Sequence, residues 1–143
     1  MLCCTFFGHR DCPDTVKPKL REVLVDLITN HGVDTFYVGH QGQFDAIVRA
    51  TLRELKAVYP HINYAVVLAY LGRKTDGTDY TDTILPEGIE SVLPRYAIAW
   101  RNDWMLKRSD YVVTYTPDPY GNSARYATKA RKQGKHTVSI ISK

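Results

Sequence analysis

Gly39-His40-Gln41-Gly42-Gln43-Phe44-Asp45 is the stretch on which the fold turns. The apolar run Thr35-Phe36-Tyr37-Val38 precedes it, and helical spacing begins near Gln43. A strand, a tight turn with two glycines and a helix start therefore follow one another. Glycine admits positive φ and a close approach to the backbone. The free N–H groups of a helix N-terminus carry partial positive charge, which suits an anion such as phosphate. Two roles are open: the turn receives a ligand, or it needs its glycines only for its own geometry.

Outward from this turn the chain alternates. Leu2 to Phe7 is continuously apolar, as in a strand buried on both faces. A loop at 8–13 follows. Asp14 or Thr15 is placed to cap a helix carrying Val16, Leu20, Val23, Leu24, Leu27 and Ile28, with Pro18 in its first turn and Gly32 at its end. After the opening turn, Phe44, Ile47, Val48, Thr51, Leu52, Leu55 and Val58 recur at helical spacing, and Pro60 stops them. Ile62 to Leu71 reads as a third strand. Gly72 to Leu93 is a polar loop long enough to act as a lid, with room for a short strand at Thr83 to Leu85. Pro94 to Arg108 is a helix and Asp110 to Thr116 a strand. A turn-rich loop runs from Pro117 to Ser123, then a helix with Ala124, Ala127 and Ala130, then a strand from Thr137 to Ile141. This alternation predicts a single α/β domain, a five-stranded, mainly parallel sheet with helices on both faces. Ligands bind such sheets beyond the carboxyl ends of the strands, where the strand order reverses. The loops 8–13, 39–45 and 117–123 leave those ends.

Composition fits this picture. The chain has 143 residues, 44% hydrophobic and 24% charged, enough for one domain with a sizeable core. No apolar run approaches the ~20 residues of a membrane helix, so no membrane association is expected. Leu2 to Phe7 has no basic region before it and is no signal peptide. Three cysteines, two of them adjacent, read as reduced thiols of a cytoplasmic protein. The net charge of +4 is concentrated near the C-terminus at Lys129, Arg131, Lys132, Lys135 and Lys143. Without interleaved aromatic residues these read as a solvated helix face; a nucleic-acid partner is the less favoured alternative.

Arg101 is the most informative single residue. Its helical neighbours Ala97, Ile98, Trp104 and Met105 are all apolar, which places the guanidinium on or beside a buried stripe. It must meet a ligand anion or a carboxylate such as Asp45 or Asp110, or reach solvent along its stem. Asn102 stands beside it as a hydrogen-bonding side chain. Asp45 can complement the helix dipole, hold a ribose hydroxyl or act as a catalytic carboxylate. It is the one candidate for chemistry, and no catalytic set is otherwise recognisable. Gly8, His9 and Arg10 sit just past the first strand, where an exposed arginine suits phosphate. Tyr115 and Gly121-Asn122-Ser123 form a second cradle ahead of the last helix, with Ser123 also placed to cap it. His9 and Cys12 lack the second pair that a tetrahedral metal site needs, and no metal or cofactor is expected. Cys4 and Arg10 have the Cys-x5-Arg spacing of phosphocysteine phosphatases, but Cys4 lies mid-strand and Phe6 and Phe7 fill the would-be cradle. Neither G-x-G-x-x-G after the first strand nor a Walker A motif is present.

Together, Thr5-Phe6-Phe7-Gly8-His9-Arg10, Gly39-x-x-Gly42-x-x-Asp45, Arg101-Asn102-x-x-Met105, Ser109-Asp110, Tyr115 and Gly121-x-Ser123 resemble the SLOG superfamily. These Rossmann-like proteins include the cytokinin-activating LOG enzymes and DNA-processing protein A; the likeness is greatest to small stand-alone bacterial and phage members. The resemblance runs nearly end to end. It implies a pocket for a nucleotide or nucleotide-derived signal such as an ADP-ribose derivative or cyclic nucleotide, and a homo-oligomer. The contacts it implies come from Gly8, His9, Arg10, Gly39, Gln41, Gly42, Gln43, Phe44, Asp45, Arg101, Asn102, Tyr115, Gly121, Asn122 and Ser123. The P-G-G-x-G-T-x-x-E signature of the LOG enzymes is absent. A binding protein, sensor or sequestering, is therefore expected ahead of a nucleotide N-glycosidase.

Overall fold

The computed structural model describes residues 1–69 and 83–141. Six strands alternate with four helices: β1 (Leu2–Gly8), α1 (Lys17–Asn30), β2 (Val33–Val38), α2 (Gly42–Val58), β3 (Asn63–Val67), β4 (Thr83–Ile84), α3 (Pro94–Arg108), β5 (Tyr111–Tyr115), α4 (Asn122–Lys132) and β6 (His136–Ser139). The strands form one sheet in the order β4-β3-β2-β1-β5-β6, and every pairing among the described residues is parallel.

The sheet thus has six strands, not five. The added one is β4, whose two residues pair Thr83 with Val66 and Ile84 with Val67. It falls where the sequence left room for a short strand, at Thr83 to Leu85; two residues are too few to display an alternating pattern, so its pairing defines it. The first half of the expected 72–93 loop, the end of the expected third strand and Lys143 lie outside the described residues. Two expected caps are also displaced. Asp14 and Thr15 form a 3₁₀ turn, Asp14–Val16, because Pro18 must occupy the first turn of α1 and so sets its start at Lys17. Gly121, not Ser123, is the N-cap of α4, since its carbonyl accepts the Arg125 N–H (3.2 Å).

β1 explains the layering. Cys3 to Phe7 are all buried, as expected of a central strand covered on both faces. Phe6, Phe36, Val38, Val66 and Val113 pack with α1 and α2, through Leu20, Leu24, Val48, Leu52 and Leu55. Phe7, Val67 and Val112 pack with α3 and α4, through Met105, Leu106 and Ala130.

From β1 the chain winds outward to β4, then crosses back to β5 and β6 on the other side. The order therefore reverses between β1 and β5, whose carboxyl ends lie side by side with Gly8 opposite Tyr115. Gly8 has a second constraint. The Phe44 ring lies so close that a Cβ on Gly8 would fall 2.0 Å from Phe44 Cδ2. Phe44 also stacks on Tyr115, with ring centroids 6.0 Å apart. Gly8→Ala should therefore displace a fully buried ring and cost about 1–3 kcal/mol or more in urea unfolding. An unchanged midpoint would show that Phe44 does not occupy this place.

Candidate functional site

The glycine turn after β2 is filled largely by the protein itself. Gly42 has φ +84°, and a Cβ there would lie 2.7 Å from Arg10 Cα. The Gln43 N–H donates to Arg10 O (2.7 Å) and the Gln41 N–H to Asp45 Oδ2 (3.0 Å). Two amides that an anion would need at the start of α2 thus already have protein acceptors. Gly39 is required for the same kind of reason. A Cβ there would lie 2.7 Å from Asp45 Oδ2 and 3.0 Å from Arg101 Nη1. Both glycines let parts of this chain approach one another.

The opening lies beside this turn. A cavity of about 380 Å³ sits at the carboxyl end of β1, within the size range of small-molecule sites. It brings together Gly8, His9 and Arg10 from β1 and its loop, Gln41 and Asp45 from the glycine turn, Arg101 and Asn102 from α3, and Gly121, Asn122 and Ser123 from the start of α4. Gly39, Gly42, Gln43, Phe44 and Tyr115 do not line it. Phe44 and Tyr115 belong to the core on the α1–α2 face, and Gly39 is the floor beneath Asp45 and Arg101. The apolar wall contains Phe6, Phe7, Ile98, Met105 and Tyr126, none of them among the residues expected to make contacts. Helical spacing carried a signal for three. Ile98 and Met105 share a face with Asn102, and Tyr126 lies three residues beyond Ser123.

The polar side of the cavity is organised around Arg101. Its side chain is 3% exposed. Nε donates to Asn102 Oδ1 (3.1 Å) and Nη1 to Val67 O (3.4 Å). The Tyr126 ring stacks on Phe7 (5.0 Å), and its hydroxyl donates to Ala99 O (3.1 Å), tying α4 to α3 along the wall. Asp45 is 8% exposed. Burial pushes its carboxyl up to about 6, against the opposing pull of the Gln41 N–H and of the Arg101 and Arg49 charges. Arg49 also donates to Gly39 O (3.3 Å).

At the opposite wall, α4 starts with Gly121 as N-cap, no side-chain cap bond and no acidic residue in its first turn. Its N-terminal dipole is therefore available to an anion. Gly121 differs from the other site glycines. Its φ is −77°, and a Cβ there would meet only Asp118 atoms, the nearest at 3.7 Å. Protein packing does not require glycine at this position.

A larger groove of about 610 Å³ runs between α1 and the first residues of β5 and β6, lined by Lys19, Glu22, Asp26, His31, Tyr111 and His136 among others. It lies at the amino ends of the strands and mixes both charges, so the smaller cavity is the stronger candidate.

The buried carboxylate has a consequence for stability. Its folded-state pKa lies above the ordinary value, so the folded protein holds the proton more tightly than the unfolded chain. Stability should then fall as pH rises from about 4 to about 6, by up to about 3 kcal/mol. Asp45→Asn removes this titration. Urea unfolding at both ends of that window should show the wild type losing ground to the variant as pH rises; a constant difference would contradict it.

No family model matches the sequence, and no curated protein matches it. Among solved structures, the X-ray structure of DNA processing protein A from Streptococcus pneumoniae is similar, with a TM-score of 0.72 at 13% identity. The match covers 100% of this chain and 51% of that one, so the chain spans about half the length of that protein. No helix among the described residues is long and apolar enough to cross a membrane. The chain has a Rossmann-like fold similar to that of this DNA processing protein A, as the sequence resemblance implied.

Proposed function

We propose that the cavity at the β1–β5 switch binds a nucleotide or nucleotide-derived small molecule of the ADP-ribose or cyclic-nucleotide type, and that the protein acts as a sensor or sequestering protein. One observation carries this: an α4 N-terminus without acidic residues shares a cavity with Arg10 and Arg101, and Phe6, Phe7, Ile98, Met105 and Tyr126 give that cavity an apolar wall. An anionic group suits the first part, a sugar or base the second. Gly121 fits the same reading, because a ligand at the helix start gives glycine a purpose that packing does not.

The site also supports an N-glycosidase, with Asp45 as the acid or base and Arg101 as the clamp. The observation in its favour is a carboxyl pushed towards neutrality inside the cavity, as general acid–base catalysis requires. Incubation with nucleoside monophosphates and NAD, followed by chromatography, separates the two. Intact substrates over hours support the binder; released base that is lost in Asp45→Asn supports the enzyme.

A thermal-shift screen of ADP-ribose, NAD and cyclic nucleotides tests binding. A true ligand at ~100-fold its Kd should add about 2.7 kcal/mol of stability. Gly121→Ala should cost the unliganded protein no more than the roughly 1 kcal/mol of a poorer N-cap and reduce that gain. No stabilisation by any of these compounds would overturn the proposal.

A further inference from the structure

Asp45 is the only acidic side chain among the described residues lining the cavity. Its Oδ2 and Arg101 Nη1 converge over the α-carbon of Gly39. An anion in the cavity therefore meets a cation that already serves a carboxylate. When the ligand draws on Arg101, the carboxylate keeps the Gln41 N–H and the weaker pull of the Arg49 charge. In so buried a place a poorly compensated negative charge beside a second anion is costly. Protonation of the carboxyl relieves this.

Resting on the binding reading above, we propose that anion binding at this cavity is proton-linked: the ligand takes over Arg101 and Asp45 takes up one proton from solvent. The proton goes to a carboxylate oxygen, and no other bond forms or breaks. The ligand then binds the protonated form better, so affinity is greatest at low pH. It falls as pH rises past the point where the unliganded carboxyl ionises, which burial sets near 6. The slope cannot exceed about tenfold per pH unit for one proton.

Other groups face Asp45 or the cavity. Arg49 lies on the same helix and Arg101 on α3; Arg10 and His9 come from the β1 loop and Tyr126 from α4. Burial pushes the Tyr126 hydroxyl up, further from this range. His9 contributes an imidazole to the cavity lining. Its Nδ1 accepts the Asp11 N–H (3.1 Å).

Calorimetry of the full chain with ADP-ribose tests the coupling, because its pyrophosphate keeps a constant charge between about pH 5.5 and about pH 8. Repeating each titration in buffers of different ionisation heat counts the protons taken up. We expect binding at least about tenfold tighter at the lower pH, with net proton uptake between the two extremes. Asp45→Asn should flatten the dependence, and His9→Asn should keep it. Equal affinity and no proton uptake in the wild type would overturn the linkage and leave the binding site standing. So would a dependence lost in His9→Asn and kept in Asp45→Asn. No binding at either pH would overturn the site assignment and the linkage together.

Discussion

A buried carboxylate and a buried guanidinium meet over the bare α-carbon of Gly39. Asp45 comes from α2 on one face of the sheet and Arg101 from α3 on the other. They can meet only beyond the carboxyl end of β2, where the sheet no longer separates the two helical layers. The Arg101 charge pulls against the desolvation of the Asp45 carboxylate, and losing it would leave a buried negative charge poorly compensated. The approach of the two side chains brings α2 and α3 together beside the cavity they both line.

The glycines around this pair do work of the same kind. Gly8 makes room for Phe44, Gly42 for the Arg10 backbone and Gly39 for Asp45 and Arg101. Protein interiors tolerate little overlap, so each approach needs a residue without a Cβ. The turn that looked like a phosphate cradle is a packing junction, and the anion-friendly helix start is that of α4. Local sequence cannot tell these uses apart. Both call for small residues and positive φ, and the difference lies in what approaches: Arg10, more than thirty positions earlier, or a ligand.

Much of the site was nonetheless legible. Arg101 stood among apolar neighbours, and the cost of an unpaired buried cation required a counter-charge; Asp45 was already a candidate for it. The β1 loop, Arg101-Asn102 and Gly121 to Ser123 do come together in one cavity. Ile98, Met105 and Tyr126 do not stand out as lining residues, because an apolar residue at helical spacing reads as core. Only the crossing of α3 and α4 above the sheet edge leaves these three beside an opening.

The sequence by itself determined the order and type of the elements, because periods of 2 and 3.6 and the turn residues that interrupt them are local properties. It also determined that strands and helices alternate, which with right-handed crossovers confines the chain to a doubly wound sheet. Only the tertiary structure decided that Thr83–Ile84 pairs into the sheet, that the start of α2 is occupied by Asp45 and the Arg10 backbone, and that the cavity lies on the α3–α4 side of β1. Each of these depends on contacts between segments far apart in the chain. Pairing, burial and close approach are energies of such contacts, and no local pattern encodes them.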